Sequence, residues 1–480
     1  MTAKKISLRL GVAVFLVALV GVGVGLVVNA QGPGATSWTS YPYILNLGTV
    51  DAHVVLEFYT PDGAVAASGG VFPDIAPGTS RPIMLSDYGV PNDFRGSIVM
   101  YSDQPLATIS GQAGDNSAAF TYAGVSIEEA ATTYQCPSIH RDTWRSLIAI
   151  QNTGSTDASV EIEFFQASDG ASVGTTSPLA VKVNSSLYVV TEDYEAMLGT
   201  AFNGGAQVRS IGAGGEKIVV VVNEYLSGTN PYFLNSAYTC FTSGATMYYL
   251  PSQHYQESPT GWVAYDKVMN MSGAPVTIEM KFYEVGSTTP VTTTTRTIAS
   301  GTRDYPVRDF VGTSGTDMFN GFATIEVTSG GDIAVMVGEL RYDQRMVAQY
   351  NGIPSGAKVL YFPSQHTPVV PGSGWSSWNK IQNLESTQAN LTLRYYDSLG
   401  TEVCTVDVDL PGDSTYDIAN LTLLSAWTPA SLYNYTGSLG YNFRGSLKVE
   451  SDRDIVGICG EVALGATVDG TVQYNGIAAP

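Results

Sequence analysis

The feature that most constrains the fold is an internal repeat marked by tryptophan and asparagine. At four places a tryptophan is followed eight residues later by an asparagine, and these pairs are Trp38 and Asn46, Trp144 and Asn152, Trp262 and Asn270, and Trp375 and Asn383. The chain has only six tryptophans, so four equal spacings indicate a true repeat. A repeat of fixed period constrains the architecture more strongly than local propensity does. We therefore expect four similar structural units.

A second repeated motif precedes three of these tryptophans. It reads Tyr-Gln-Cys-Pro-Ser-Ile-His at 134–140, Tyr-Leu-Pro-Ser-Gln-His at 249–254 and Tyr-Phe-Pro-Ser-Gln-His at 361–366. The predicted domains, called repeats 1 to 4 below, are residues 31–132, 133–246, 247–358 and 359–480. At about 112 residues each, they are long enough to bury separate cores.

Within each repeat, apolar residues alternate with polar ones, and turn residues bound the alternating segments, which indicates β-strands. A first strand ends at the repeated asparagine, and a later strand opens with Phe-x-Gly, at 94–96, 202–204, 319–321 and 443–445. About seven short strands in roughly 110 residues is the pattern of an immunoglobulin-like sandwich. We predict an all-β fold of four tandem immunoglobulin-like antiparallel β-sandwich domains, joined by short linkers into a rod.

The N-terminus predicts export. A basic start precedes an uncharged run from Leu10 to Val28, and a small-x-small sequence ends at Ala30. This arrangement predicts a helical signal peptide over residues 1–30, cleaved after Ala30. A run of about 19 residues is also long enough to span a bilayer, so an uncleaved N-terminal membrane anchor is the alternative.

Charge narrows the classes of partner. The formal net charge of −20 argues against nucleic-acid binding and against docking on anionic lipid. We therefore expect contact with a membrane only through an uncleaved N-terminal segment. The predicted localisation is extracellular, as a secreted protein at the cell surface.

Four cysteines predict two disulfides in an exported protein. Cys136 and Cys240 flank repeat 2, whereas Cys404 and Cys459 both lie in repeat 4. Four cysteines allow three pairings, and the repeat boundaries favour Cys136 with Cys240 and Cys404 with Cys459.

The repeats resemble tandem β-sandwich repeats of secreted bacterial cell-surface proteins. The resemblance rests on a proline-containing lead-in, a tryptophan, an aromatic strand pair and Phe-x-Gly, and on the segments Ile150-Gln151-Asn152-Thr153-Gly154, Ile381-Gln382-Asn383, Ser102-Asp103-Gln104-Pro105 and Ser451-Asp452. It covers nearly all of the chain after residue 30, and it implies a fold and a location rather than a reaction. Repeat 3 departs most from the pattern, because it lacks the glutamine before Asn270.

The histidines allow two interpretations. His140, His254 and His366 occupy one repeated position, which suits either a repeated ligand or metal contact or a structural role at the joint between domains. Spacings of 114 and 112 residues place them in different domains, so a shared metal is not expected. Glutamates recur after a buried strand in repeats 2 to 4, at Glu224, Glu339 and Glu461. They suggest calcium as a possible ion, although no Asp-x-Asp-x-Asp-Gly loop accompanies them.

The tryptophans Trp38, Trp144, Trp262 and Trp375 also allow two interpretations. They can pack at the edge of each domain or at the joint between domains and stabilise it, because a large amphipathic ring suits a half-buried site. Exposed tryptophans and tyrosines can instead stack on sugar rings.

Sequence motifs for catalysis are absent. The chain contains no G-x-S-x-G, H-E-x-x-H, P-loop or G-x-G-x-x-G motif, and we predict no catalytic residues, cofactor or resident metal. The predicted function is that of a non-enzymatic cell-surface structural or adhesive protein. Its partners would be further copies of itself, surface glycans or surface proteins. A glycan-binding module is the alternative, and a secreted hydrolase is the third.

Overall fold

The computed structural model describes residues 24–29, 38–90, 94–114, 119–226, 234–255, 261–311, 318–341, 346–424, 434–464 and 470–479. These residues form an all-β fold of antiparallel sheets, as predicted. Helical turns in this part of the chain are short and span Leu85–Tyr88, Thr191–Tyr194, Glu195–Leu198, Arg308–Val311 and Asn420–Leu423.

The strands of the first half are numbered in chain order. Those that pair with one another around repeat 1 are β1 Val24–Asn29, β2 Trp38–Asn46, β3 Ala52–Tyr59, β4 Val65–Ile75, β5 Ser80–Pro82, β6 Gly96–Ser102, β7 Leu106–Gly114, β8 Ala119–Ala123 and β9 Val125–Ser126. Those of repeat 2 are β10 Thr133–Arg141, β11 Trp144–Asn152, β12 Ala158–Gln166, β13 Ser172–Thr175, β14 Leu179–Val181, β15 Ser186–Val190, β16 Phe202–Ser210, β17 Ile218–Leu226 and β18 Asn235–Thr239.

The second half follows the same course. The strands of repeat 3 are β19 Met247–Tyr255, β20 Trp262–Asn270, β21 Val276–Glu284, β22 Thr292–Ile298, β23 Thr302–Pro306, β24 Phe319–Ser329, β25 Ile333–Arg341 and β26 Met346–Asn351. Those of repeat 4 are β27 Ala357–His366, β28 Gly374–Asn383, β29 Ala389–Asp397, β30 Glu402–Leu410, β31 Thr415–Ala419, β32 Asn434–Gly437, β33 Arg444–Leu464, β34 Thr471–Asn475 and β35 Ile477–Ala478.

Strand pairing recurs from one repeat to the next. In repeat 2, one antiparallel layer has the order β13-β12-β16-β10 and the other has β15-β11-β17-β18. Repeat 1 has the corresponding layers β4-β3-β6-β1 and β5-β2-β7-β8. Inward-facing side chains of the two layers, such as Phe164 on β12 and Ile150 on β11, share one hydrophobic core. This pairing explains the alternating burial along β12, because every second side chain faces that core.

The repeats are arranged around a common axis, and the edge strand that closes the second layer of each repeat lies next to this axis. These strands, β8, β18, β26 and β34, each contact the corresponding strand of the repeat before and after. Polar side chains bridge them, since Asn351 Nδ2 donates to the backbone oxygen of Thr239 at 2.8 Å and Asn475 Nδ2 donates to that of Asn351 at 2.9 Å. A cavity of about 70 Å³ lies between the four strands.

Contacts between the first and last repeats close this arrangement into a ring. Thr121 Oγ1 of repeat 1 donates to the backbone oxygen of Gln473 in repeat 4 at 3.0 Å, and Ser446 Oγ donates to that of Gly78 at 3.0 Å. The predicted rod is therefore wrong. Each repeat makes the same kind of head-to-tail contact with the next, and such contacts form a ring when the rotation between units closes.

The predicted N-terminal helix is wrong for the part of it that the structure describes. Residues 24–29, expected in a signal or anchor helix, form strand β1, which pairs with β6 and β9. The sequence Val24-Gly25-Leu26-Val27-Val28 is rich in β-branched residues, which favour a strand. Residues 1–23 and 30, where the rest of the prediction falls, lie outside the described residues. No helix of the described chain is long and apolar enough to cross a membrane.

One of the two predicted disulfides is present. Cys136 and Cys240 are bonded and join β10 to the residue after β18. In repeat 4 the corresponding positions are Phe362 and Gly476, and the Phe362 ring lies 2.8 Å from where a Cβ on Gly476 would be. A large side chain over a glycine thus fills in repeat 4 the space that the disulfide occupies in repeat 2.

The predicted second disulfide is wrong. Cys404 and Cys459 are both free and buried. Cys404 lies on β30 opposite Tyr395, whereas Cys459 lies on the second half of β33, and the Nε2 atom of Gln365 donates to its sulfur at 3.2 Å. The two thiols therefore belong to opposite layers of one core, which the repeat boundaries alone did not reveal.

Alkylation should separate the two kinds of cysteine. We expect iodoacetamide to label Cys404 and Cys459 in unreduced, denatured protein, and all four cysteines only after reduction. In the folded protein labelling should be slow, because burial raises the pKa of the Cys404 thiol to about 11 and that of Cys459 as well. Peptide mass spectrometry reads out each site. Unreduced, denatured protein without any labelled cysteine would show that a second disulfide forms.

Candidate functional site

Repeats 2 to 4 each bring a serine, a histidine and a glutamate together in the interior. We call these groups the Ser-His-Glu centres, and they are Ser138, His140 and Glu224; Ser252, His254 and Glu339; and Ser364, His366 and Glu461. In repeat 3, Ser252 Oγ lies 3.0 Å from His254 Nε2 and donates to Glu339 Oε1 at 2.7 Å. In repeat 4, Ser364 Oγ lies 2.9 Å from His366 Nε2.

The backbone around each centre follows from its Pro-Ser sequence. The pairing of the lead-in strand with its partner shifts register at this point, between Cys136 and Ile139 in repeat 2 and between Phe362 and Gln365 in repeat 4. Proline cannot donate to a strand ladder and is tolerated at such bulges. A tyrosine of the closing strand satisfies the bulge, because the Tyr474 hydroxyl donates to Ser364 O at 2.5 Å and accepts from Ser364 N at 3.1 Å. Tyr238 and Tyr350 do the same in repeats 2 and 3.

The geometry of the repeat 3 and repeat 4 centres differs from that of a catalytic triad. In a triad the serine and the acid bind opposite nitrogens of the imidazole. Here both groups approach Nε2, since Glu461 Oε2 lies 3.7 Å from His366 Nε2, the same nitrogen that Ser364 contacts. In these two centres the acid therefore does not orient the imidazole for removing a proton from the serine. Repeat 2 differs, because Asp142 Oδ2 lies 3.6 Å from His140 Nδ1 while Glu224 lies on the Nε2 side.

Burial controls the charge of the repeat 4 centre. It raises the pKa of Glu461 to about 8 and, with Arg444 adding to the effect, lowers the pKa of His366 to about 4. Burial also lowers the pKa of His254. Near neutral pH the repeat 4 centre is therefore an uncharged carboxyl beside an uncharged imidazole.

The centres do not assemble a metal site. Within the described ranges, no group of three or more His, Cys, Asp or Glu side chains is arranged to hold a metal ion. Each histidine is instead joined to the glutamate of its own repeat. The repeated histidines and the repeated glutamates were identified from the sequence as two separate sets. Both sets occur in repeats 2 to 4, and this shared occurrence was the sequence signal that they lie together.

A glutamine of the next repeat completes two of the centres. Gln349 Nε2 of repeat 3 donates to Glu224 Oε2 at 2.5 Å, and Gln473 Nε2 of repeat 4 donates to Glu339 Oε2 at 2.6 Å. The ring would place repeat 1 beside Glu461 in the same way, but repeat 1 has Thr121 at the corresponding position. Within the part of the chain that the structure describes, the Oε1 atom of Glu461 accordingly has no hydrogen-bond partner, although the residue is only 6% exposed.

Buried lysines link the same two pairs of repeats. Lys267 on β20 forms an ion pair with Asp304 at 2.9 Å and donates to Asn203 of repeat 2. Lys380 on β28 donates to Asn320 Oδ1 of repeat 3 at 3.0 Å and lies 3.7 Å from Asp417. In both cases the acceptor in the neighbouring repeat is the middle residue of Phe-x-Gly.

At the other two joints the middle residue of Phe-x-Gly is an arginine, and an uncharged residue stands at the position of the lysine. Repeats 1 and 4 have Arg95 and Arg444 in the middle of the motif, and the facing positions in repeats 2 and 1 are Ala149 and Tyr43. A lysine there would bring two cations together at a buried joint. The residues at the joint between repeats 4 and 1 thus match each other in charge, as do those at the joints between sequential repeats. This match is a sequence feature that supports ring closure.

A cavity of about 500 Å³ lies at this closing joint between repeats 4 and 1. Its polar groups include Glu461, His366 and Arg444, and aromatic walls come from Tyr41, Tyr43, Phe120 and Trp375. The Tyr43 hydroxyl lies 3.3 Å from His366 Nε2. This joint therefore combines polar groups with open space.

The repeated tryptophans are all half-buried. Trp38 packs on Phe120 with ring centroids 5.5 Å apart, and Trp375 lines the cavity at the closing joint. Trp144 packs against a cluster that includes Leu340 of repeat 3. Trp262 begins β20. Trp375 is thus the repeated tryptophan that the structure brings next to a Ser-His-Glu centre with a cavity.

Changing Glu461 to glutamine should remove a pH-dependent loss of stability. The folded-state pKa of about 8 exceeds the ordinary 4.5, so the protonated carboxyl contributes stability that is complete below 4.5 and is lost as pH rises to about 8. The free energy of unfolding of the wild type should therefore fall relative to Glu461→Gln by up to about 1.4 kcal/mol per pH unit within this window. His366 has the opposite effect on stability, but its contribution changes only below its ordinary pKa of 6.5. Urea denaturation measured between pH 6.5 and 8 therefore reports on Glu461 alone among these two groups.

Repeat 1 supplies the matched comparison for this experiment. Gln112 occupies the position of Glu461 and is fully buried, so an amide is accommodated there. The reciprocal change Gln112→Glu should add a second decline of the same sign. If the difference between wild type and Glu461→Gln stays constant from pH 6.5 to 8, Glu461 does not titrate in this range.

No family model and no curated protein matches the chain. Among solved structures, the alignment with Thermotoga maritima 1070 covers 26% of this chain and 95% of that one, at 14% identity and a TM-score of 0.20. That with a tetra-tandem repeat in the extending region of a large adhesion protein covers 95% and 100%, at 10% identity and a TM-score of 0.10. That with dimeric latent PorU from Porphyromonas gingivalis covers 78% and 31%, at 10% identity and a TM-score of 0.14. At TM-scores this low, none of these likenesses identifies a fold or a function.

Proposed function

We propose that this protein is a non-enzymatic extracellular protein with a structural or adhesive role at the cell surface, built from four tandem immunoglobulin-like β-sandwich domains. The observation that carries the proposal is the contact of each closing strand with its two neighbours around one axis. Such closure makes a single body in which one edge strand of each repeat is covered, a property that suits a durable surface element.

The interior chemistry supports a non-enzymatic role. In the repeat 3 centre, Ser252 joins the first strand of the repeat to the buried strand through Glu339, and Gln473 joins Glu339 to the neighbouring repeat. In repeats 3 and 4 the serine and the acid lie on one imidazole nitrogen, an arrangement that suits joining the strands rather than activating a nucleophile. A secreted hydrolase is the weaker alternative and would need a site elsewhere.

Two features support an extracellular location. The disulfide between Cys136 and Cys240 is of the kind that persists in oxidising compartments. The acidic net charge of −20 also agrees with secretion.

Labelling of intact producing cells tests location and role together. Antibody against the folded protein should label unbroken cells, and deletion of the gene should reduce attachment to surfaces or alter the outer layer. Complementation with the wild-type gene should restore the phenotype. Antigen that is detected only after lysis would overturn the proposal.

Electron microscopy separates the structural branch from the adhesive one. Negative staining of the purified protein should show compact particles with four lobes, in calcium and in chelator alike. Ordered lattices or filaments would favour a structural assembly, and their loss on chelation would implicate calcium. Dispersed particles under both conditions favour an adhesive role. Extended four-bead rods would contradict ring closure.

A further inference from the structure

The joint between repeats 4 and 1 lacks groups that complete the other joints. Glu339 receives a hydrogen bond from Gln473, whereas the buried Oε1 of Glu461 receives none and borders the cavity. A buried acceptor without a partner is costly, and sites of this kind are commonly completed by water or a ligand. A ligand in this cavity would therefore contact Glu461 through a hydroxyl.

Among the described residues, the same joint has a cation, Arg444, that forms no ion pair with a carboxylate. Lys267 and Lys380 each have an aspartate on the neighbouring strand, Asp304 and Asp417. Across from Tyr43, the strand neighbour is Pro82, and among the described residues no carboxylate lies within ion-pair distance of Arg444. Arg444 is exposed on the cavity wall, so its guanidinium is available to a carboxylate from outside.

The remaining walls suit a ring with apolar faces. Tyr41, Tyr43 and Trp375 line the cavity, and the exposed side chains of Met84 and Val369 flank it. A volume of about 500 Å³ lies within the range of about 300 to 1,000 Å³ typical of sites for small ligands. Aromatic surface beside a few convergent polar groups is the usual composition of such a site.

We propose that the cavity between repeats 4 and 1 binds an acidic saccharide, with Arg444 holding the sugar carboxylate, Glu461 and His366 meeting ring hydroxyls, and Tyr41, Tyr43 and Trp375 packing on the ring. This inference deepens the proposed surface role, on which it rests, by naming the chemical class of the ligand.

The charge state of the cavity supports this class. Because burial raises the pKa of Glu461 to about 8, its carboxyl is uncharged at neutral pH and can donate to a hydroxyl without repelling an anion. The imidazole of His366 is uncharged as well. Arg444 is then the one full charge among the groups that carry the proposal, which favours a ligand with a single carboxylate.

Calorimetric titration of the full chain tests the proposal. The probes are glucuronate and galacturonate, with glucose and galactose as neutral counterparts and benzoate as a carboxylate without hydroxyls. We expect at least one uronate to bind at least about tenfold more tightly than its neutral counterpart and than benzoate, because a charge-assisted hydrogen bond contributes about 1.5 to 3 kcal/mol. Arg444→Gln should remove this preference.

Two further variants locate the site. Thr121→Gln introduces the glutamine that repeats 3 and 4 have at this position, so it should satisfy Glu461, fill the cavity and abolish uronate binding while the protein stays folded. Arg95→Gln changes the corresponding arginine of repeat 1, outside the cavity, and should leave binding unchanged. Near-ultraviolet circular dichroism of each variant confirms that the fold is retained.

Several outcomes would overturn the proposal. These are no uronate binding, equal binding of neutral sugars or of benzoate, and uronate binding that persists in both Arg444→Gln and Thr121→Gln. None of them would affect the intact-cell labelling result, so failure of the ligand assignment is distinguishable from failure of the surface role. Conversely, uronate binding by a protein found only inside cells would refute the surface role alone.

Discussion

Replacing Gly321 with alanine should destabilise the protein by about 3 kcal/mol or more. Gly321 is the third residue of Phe-x-Gly in repeat 3, and a Cβ there would lie 1.8 Å from the backbone oxygen of Tyr283 and 2.6 Å from the Phe319 ring. The oxygen belongs to the paired strand β21, so relief of the clash requires the strands to separate. Urea denaturation followed by tryptophan fluorescence measures the loss.

Gly273→Ala is the matched control within the same repeat. A Cβ on Gly273 would have no heavy atom within 4 Å, and we expect a change within about 0.5 kcal/mol. The glycines Gly96, Gly204 and Gly445 face a strand oxygen in the same way, at 2.0, 1.9 and 2.0 Å. Equal stability of the Gly321→Ala and Gly273→Ala variants would show that close strand approach is not the reason for the repeated motif.

The parts of the fold that depend on local sequence could be predicted. Strands β2, β11 and β20 begin at the repeated tryptophan and end at the repeated asparagine. The asparagine marks the end because its side chain binds the turn that follows, as Asn152 does through Thr156 O at 2.8 Å and Gly154 N at 2.8 Å. Alternation and turn chemistry are written in adjacent residues, so they can be read without a structure.

Ring closure and the composition of the centres could not be read in the same way. Both depend on residues far apart in sequence, such as Glu224 with Gln349 and Tyr43 with His366. Similar repeats with short linkers are compatible with a rod and with a ring, and the small rotation between units decides between them. The available signal was compensation across joints, in which a lysine faces Asn203 or Asn320 and an uncharged residue faces Arg95 or Arg444. These matching residues can be recognised only when it is known which strands meet at each joint.

Removing the charge of Lys267 should cost about 3 to 5 kcal/mol of stability. Its side chain is 2% exposed and that of its partner Asp304 is 29% exposed, at the joint between repeats 2 and 3. Burial acts to raise the pKa of Asp304, but Lys267 outweighs this effect and holds the pKa below its ordinary value. In Lys267→Met the aspartate would lose its cationic partner while staying largely buried, and it would keep the hydrogen bond from Asn203 Nδ2 at 2.5 Å. Urea denaturation of the wild type and the variant at neutral pH measures the difference.

Two variants separate the loss of the ion pair from the loss of the lysine side chain. Adding Asp304→Asn to Lys267→Met should restore part of the stability, because no uncompensated charge remains at the joint. Lys182→Met breaks an ion pair with Asp157 in which both side chains are about half exposed, and it should cost no more than about 1 kcal/mol. Repeat 2 carries Ala149 at the position of Lys267, so the strand itself tolerates an uncharged residue. If the double variant is no more stable than Lys267→Met, the lysine stabilises the joint through packing and its bond to Asn203 rather than through its charge on Asp304.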